Sequence, residues 1–135
     1  MSSRTIFLAK VIGLFLLCMA ALMALSKTSL LTAIAATVHE PGLLLAYSII
    51  SLAAGMAMVV GHNVWSGGPA AIIVTLVGWA ALIKGLLLLF LPSDMFVTLY
   101  GRADFGDRLY GYAALFAVIG LYLVYSGFRA ARAKS

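Results

Sequence analysis

Four long apolar blocks, separated by shorter stretches in which polar residues return, set the pattern of this chain. The third block is the most continuous: between Pro69 and Pro92 the chain reads PAAIIVTLVGWAALIKGLLLLFLP, with Lys84 as its one charged side chain. More than twenty helical residues rising ~1.5 Å each cross a hydrocarbon core of ~30 Å. By the same reasoning helices span about 5–25, 42–60, 69–91 and 109–128. The pattern predicts an all-α membrane protein, a bundle of four transmembrane helices in a single domain over residues 1–135. The first block exceeds the 7–15 residues of a secretory h-region and lacks a clean cleavage site before a soluble chain, so it reads as a retained span.

The intervening stretches differ in character. Residues 27–40, KTSLLTAIAATVHE, place Leu30, Leu31, Ile34 and Val38 at helical spacing among threonines and a serine. That segment is too short and too polar to cross, and predicts a short interfacial helix after span one. Pro41 suits the first turn of the next helix, with Glu40 beside its positive end. Residues 61–68 form a turn without formal charge. Residues 92–108 carry three of the four acidic residues, and their first half reads as a second interfacial segment. Asp104 and Asp107 with Arg102 and Arg108 read as a charge cluster in the head-group zone. Tyrosines and Phe128 gather at both ends of span four, as in aromatic belts.

Composition agrees with this pattern. Of 135 residues 64% are hydrophobic and 10% charged, against roughly 25% charged in a soluble domain. Such a chain is covered by lipid rather than by its own polar surface. A net charge of +5, mostly terminal, suits anionic head groups and not nucleic acid. Arg4, Lys10, Arg129, Arg132 and Lys134 lie on the side of the termini, against Lys27, Arg102 and Arg108 opposite. That asymmetry puts both termini in the cytoplasm and the chain in a bacterial inner membrane. Lys10 lies near enough to a helix end to act as a snorkelling anchor. Cys18, the one cysteine, excludes an intrachain disulfide and reads as a small packing residue.

Two further patterns concern helix association. Ser51 and Gly55 form a small-xxx-small face on span two, next to Ala53, Ala54 and Ala57, that lets backbones approach in the same chain or a neighbour. A shift of 65 positions superposes Gly13 on Gly78, Tyr47 on Tyr112, Gly55 on Gly120 and Val59 on Val124. That offset suggests two tandem helical-hairpin repeats pointing the same way across the membrane; leucine- and alanine-rich sequences also align by chance.

Few residues can carry chemistry. Lys84 lies ~10 Å inside span three by helical rise. It either lines an ion or solute path, or fixes helix depth by snorkelling or by pairing with Glu40 or Asp94; Gly85 beside it admits a neighbouring backbone. His62, Asn63 and Trp65 stand where span two ends. His62 can titrate or bind a metal, but with His39 expected on the opposite face, capping of span two's carbonyls by His62 and Asn63 and interfacial anchoring by Trp65 is the simpler account. Paired carboxylates, nucleophile elbows, phosphate loops and zinc-binding motifs are absent from the sequence, so no catalytic, cofactor or metal site is expected, and bis-histidine haem ligation is disfavoured.

The run GHNVW followed by TLVGWAALIKGLLLLFLP resembles a family of small, uncharacterised bacterial integral membrane proteins with H-N-x-W, then a T-x-x-G-W-x-x-L-x-K-G helix ending in proline. The matching residues are His62, Asn63, Trp65, Thr75, Gly78, Trp79, Leu82, Lys84, Gly85 and Pro92, and the Gly13-containing first span and Gly55 also fit. SGGP replaces acidic and aromatic residues of the family's turn, and the last loop and fourth span are longer. The resemblance implies a topology and no activity. The expected function is a non-catalytic structural or accessory membrane protein that assembles with itself or with a larger complex. The alternative is a small oligomeric channel or transporter whose pathway runs between subunits past Lys84.

Overall fold

A computed structural model describes residues 1–91, Met95 and residues 105–133, with the backbone alone for residues 105–107. Among these residues the chain forms helices α1 (Ser3–Leu25), α2 (Lys27–His39), α3 (Pro41–Gly61), α4 (Pro69–Phe90) and α5 (Phe105–Arg132). Four of them, all but α2, are long and apolar enough to cross a membrane. The protein is an all-α, four-span membrane bundle, with α2 between the first two spans. The expected second interfacial segment, the Asp104–Asp107 cluster and Asp94 lie outside the described residues or side chains.

Local chemistry explains the ends of the helices. Ser2 caps α1, its hydroxyl accepting the Thr5 N–H at 3.1 Å. The single residue Ser26 separates α1 from α2, and Glu40 separates α2 from α3, with Pro41 in the first turn of α3 where its missing N–H costs nothing. The turn after α3 ends on Gly67 and Gly68, at φ 94° and 110°. L-residues with a Cβ rarely adopt that region, so the two glycines let the chain reverse before Pro69 opens α4.

Tertiary pairing does not follow chain order. α1 lies along α5 and α3 along α4, and α1 joins the two pairs through α4. The central core is Ala9, Ile12 and Leu16 of α1, Ala70 and Val74 of α4, and Leu123 of α5. A smaller cluster of Met23, Leu109 and Ala113 closes the α1–α5 pair at its other end, and Leu44 with Leu88 does so for α3–α4. Most large apolar side chains point outward instead, among them Phe15 at 62% and Val60 at 86% exposure. Such a surface is stable only where lipid covers it. Cys18 is part of that surface, so it does not pack as the sequence suggests.

Both helix pairs are held close by glycine. A Cβ on Gly55 would lie 2.3 Å from the Leu82 nitrogen, and one on Gly85 2.5 Å from the Leu52 nitrogen. Across the other pair, a Cβ on Gly120 would lie 2.9 Å from the Gly13 carbonyl oxygen and 3.0 Å from Leu17 Cγ. Any side chain at these positions must push the helices apart. The small face of α3 is therefore used within the chain: Ser51 also donates its hydroxyl to the Ala81 carbonyl at 3.1 Å. The contacts repeat with the sequence offset. Gly55 meets Leu82 as Gly120 meets Leu17, and Gly78 meets Val59 as Gly13 meets Val124, each pair 65 residues from its counterpart.

The two chain ends adjoin. Lys10 of α1 touches Gly127 of α5, and Met1 shares a surface groove with Ala133. The α3–α4 turn lies at the same end, because His62 reaches Thr5. α2, the start of α3 and the end of α4 form the opposite end.

Candidate functional site

The polar residues at the α3–α4 turn converge with the first turn of α1. His62 follows the last residue of α3, and its N–H still bonds to the Met58 carbonyl at 2.7 Å. Its ring turns inward and is 3% exposed. Nε2 lies 2.9 Å from the Thr5 hydroxyl and Nδ1 lies 3.3 Å from the Thr75 hydroxyl. Both threonines are buried as well.

Hydrogen supply sets the direction of these bonds. Thr75 Oγ1 accepts the Val64 N–H at 3.1 Å and has the Val64 and Ala71 carbonyls at 2.9 and 3.1 Å, which can only accept. All of these groups are satisfied when Thr75 gives its single proton to the nearer carbonyl and the histidine donates Nδ1–H to Thr75. Nε2 then accepts from Thr5, whose oxygen lies 2.7 Å from the Ser2 hydroxyl. Both ring nitrogens have a hydrogen-bond partner inside the chain, and metal binding at either would break one of these bonds. This differs from the capping role expected of His62, because its ring bonds to side chains and not to the free carbonyls of α3. Thr5, fifty-seven positions away, carries no sequence signal of this partnership.

Asn63 holds two indoles. Its Oδ1 accepts the Trp65 Nε1–H at 2.8 Å and the Trp79 Nε1–H at 3.4 Å. Both tryptophans are partly exposed, with their rings on the outer surface at the level of the turn. Asn63 thus joins the turn to α4 rather than capping α3. With Gly78 packed on Met58 and Val59, the residues of the HNxW and TxxGW stretches form one staple between α3 and α4. Its physical task is to fix the hairpin and to tie it to the amino terminus.

Lys84 lies at the other end of α4, exposed on the outer face. Its ammonium donates to the Tyr47 hydroxyl and sits 4.7 Å from the centre of that ring. Tyr47 is about two turns into α3 and Lys84 about two turns from the end of α4, so the antiparallel helices bring them to one depth. Tyr47 takes the place expected for Glu40, which is exposed at the α2–α3 junction and does not pair with the lysine. The other described lysines follow the same rule: Lys10 sits 4.4 Å over Phe128 and Lys27 5.2 Å over Tyr110. Each contact shields an ammonium with an aromatic face contributed by a neighbouring helix.

Gly78 and Gly85 act between α3 and α4, and Gly120 between α1 and α5, so the predicted packing glycines serve the bundle itself. His39, exposed at the end of α2, is remote from His62. Among the described residues no three histidine, cysteine or carboxylate side chains gather at metal-binding distance. Comparison of the chain with protein-family profiles, with curated proteins and with solved structures finds no match in any of the three.

Proposed function

We propose that this chain is a non-catalytic, structural or accessory multi-pass membrane protein that acts by assembling in the bilayer, with copies of itself or with a larger membrane complex. The carrying observation is the use made of its polar residues. Each buried polar side chain described has its hydrogen-bond partner inside the chain: Ser48 bonds within α3, and His62 with Thr5 and Thr75 ties the α3–α4 turn to α1 and α4. What is left to meet other molecules is the outward apolar surface, including Ala46, Ala53 and Ala57 on α3. The positive-charge asymmetry supports a bacterial inner membrane with both termini cytoplasmic. The repeating glycine contacts favour an origin by tandem duplication. Within it His62 and Thr75 occupy the places of Gly127 and Lys10, so the staple draws residues from both copies and is built at one of the two equivalent helix pairs. Membership of the family resembled at HNxW belongs to the same proposal.

The second reading, an oligomeric channel or transporter, draws on the outward position of Lys84. A cation on the outer face faces a pathway only if subunits enclose it. The mass of the assembly in native membranes separates the readings. A larger stable complex without solute flux supports the accessory role, and a monomer alone rules it out. A uniform homo-oligomer whose chloride flux in liposomes disappears in Lys84→Ala replaces it with the channel.

A further inference from the structure

The end of the bundle that carries both chain termini holds a surface feature that helix packing does not use. Two grooves flank the last turns of α5, with volumes of about 380 and 320 Å³. Tyr125 and Arg129 belong to both. The first is completed by Val124, Phe128 and Arg132; the second has Tyr122 and Met1 in its wall. These sizes match the lower end of small-ligand clefts.

Polarity along α5 is graded. Val118, Leu121, Tyr125 and Arg129 follow one another at steps of three or four, so they share a helix face. Val118 and Leu121 are 66% and 60% exposed, and Tyr125 is 63% exposed. The apolar stretch between Arg108 and Arg129 is about 30 Å long at ~1.5 Å per residue, which puts Arg129 at the hydrocarbon boundary and Arg132 beyond it. The face therefore presents aliphatic, then phenolic, then guanidinium groups from the interior of the membrane outward.

Among the described residues the charged side chains at this end have one sign. Arg4, Lys10, Arg129 and Arg132 gather there, and Glu40, the one carboxylate side chain among the described residues, is at the opposite end. Lys10 adds its charge directly behind the first groove, over the Phe128 ring.

We propose that the two grooves form a binding site for the head group of an anionic phospholipid in the leaflet at that end. The phosphate lies between Arg129 and Arg132, where guanidinium groups bond to its oxygens. The Tyr125 ring lies beside the glycerol, and an acyl chain follows Leu121 and Val118 inward. A free anion would use the arginines but gain nothing from the aliphatic strip, so the graded face selects the lipid. This site is independent of the assembly proposed above.

The test is made on the full chain in nanodiscs of phosphatidylcholine containing a few per cent of spin-labelled phosphatidylglycerol or spin-labelled phosphatidylcholine. The labelled phosphatidylglycerol is immobilised with a preference of about thirty-fold, from two cationic contacts of about 1 kcal/mol each. The double variant Arg129→Gln, Arg132→Gln brings the preference close to one. Arg129→Lys, Arg132→Lys keeps most of it, and Lys27→Gln at the other end leaves it intact. Equal immobilisation of the two lipids by the unmodified chain overturns the proposal whether or not the variants fold. So does a preference untouched by the glutamine pair, or one abolished by millimolar inorganic phosphate at constant ionic strength.

Discussion

Replacing His62 by alanine removes the group that joins Thr5 to Thr75 and leaves a void where a ring 3% exposed had been. Lost hydrogen bonds and a cavity together cost about 2–4 kcal/mol. Thermal unfolding in detergent should show that loss, and an unchanged midpoint would mean that the staple does not hold the bundle. Thr75→Val keeps the side-chain shape but leaves the Val64 N–H and one histidine nitrogen without their acceptor, for about 1–3 kcal/mol. Lys84 should behave differently. A cation–π contact at an exposed site contributes about 0.5–1 kcal/mol, and removing an off-centre membrane cation offsets much of that. Lys84→Met is expected to leave the unfolding midpoint nearly unchanged and to insert into membranes at least as readily as the parent. A large loss of stability would show that the Tyr47 contact carries more than depth.

At the scale of the elements, the two helix pairs depend on backbone contact at glycine. Gly55→Ala sets a methyl group within 2.5 Å of the Leu82 Cα, and no flexible side-chain end is there to yield. We expect α3 to move off α4, with a loss of about 1–3 kcal/mol from overpacking. Gly111→Ala is the control. Nothing lies within 4 Å of its Cβ position on α5, so the helix gains about 0.8–1.0 kcal/mol of propensity without a clash. Opposite signs for these two substitutions, read from unfolding midpoints in the same detergent, test the packing scheme. Equal effects would mean that α3 and α4 are not in contact at Gly55.

For the molecule as a whole, the neighbouring ends of α1 and α5 give a distance prediction. With Cys18 replaced by alanine, spin labels at Ser3 and Ala133 should lie within about 20 Å, whereas labels at Ser3 and Glu40 should be separated by about the ~30 Å of a hydrocarbon core. A long Ser3–Ala133 distance would remove the α1–α5 pair, and with it the groove at Arg129. The same geometry explains the uneven legibility of the candidate site. GHNVW and TLVGWAALIKG stood out because tryptophan, asparagine and lysine are conspicuous in apolar sequence. Thr5 and Tyr47, which complete the bonds, are ordinary residues at that level. Ser51 and Gly55 were recognisable as a close-packing face, but nothing in their spacing indicates α4 as the neighbour. Residue type marks a site, while its partners depend on which helices are adjacent.

Crossing the bilayer is a property of each segment by itself. Transfer free energy accumulates residue by residue along a helix, and backbone hydrogen bonds close within it, so the four spans and the shorter α2 were determined by the sequence before any contact formed. Pairing is a property of surfaces that come from distant parts of the chain. Lipid supplies no hydrophobic drive to select partners, and the choice falls to shape: Gly13 against Gly120, Gly55 against Leu82, His62 between two threonines. Only the tertiary structure decides that α1 lies on α5 and α3 on α4, that His62 is enclosed, and that Met1 of one chain end lines a groove with Arg129 of the other.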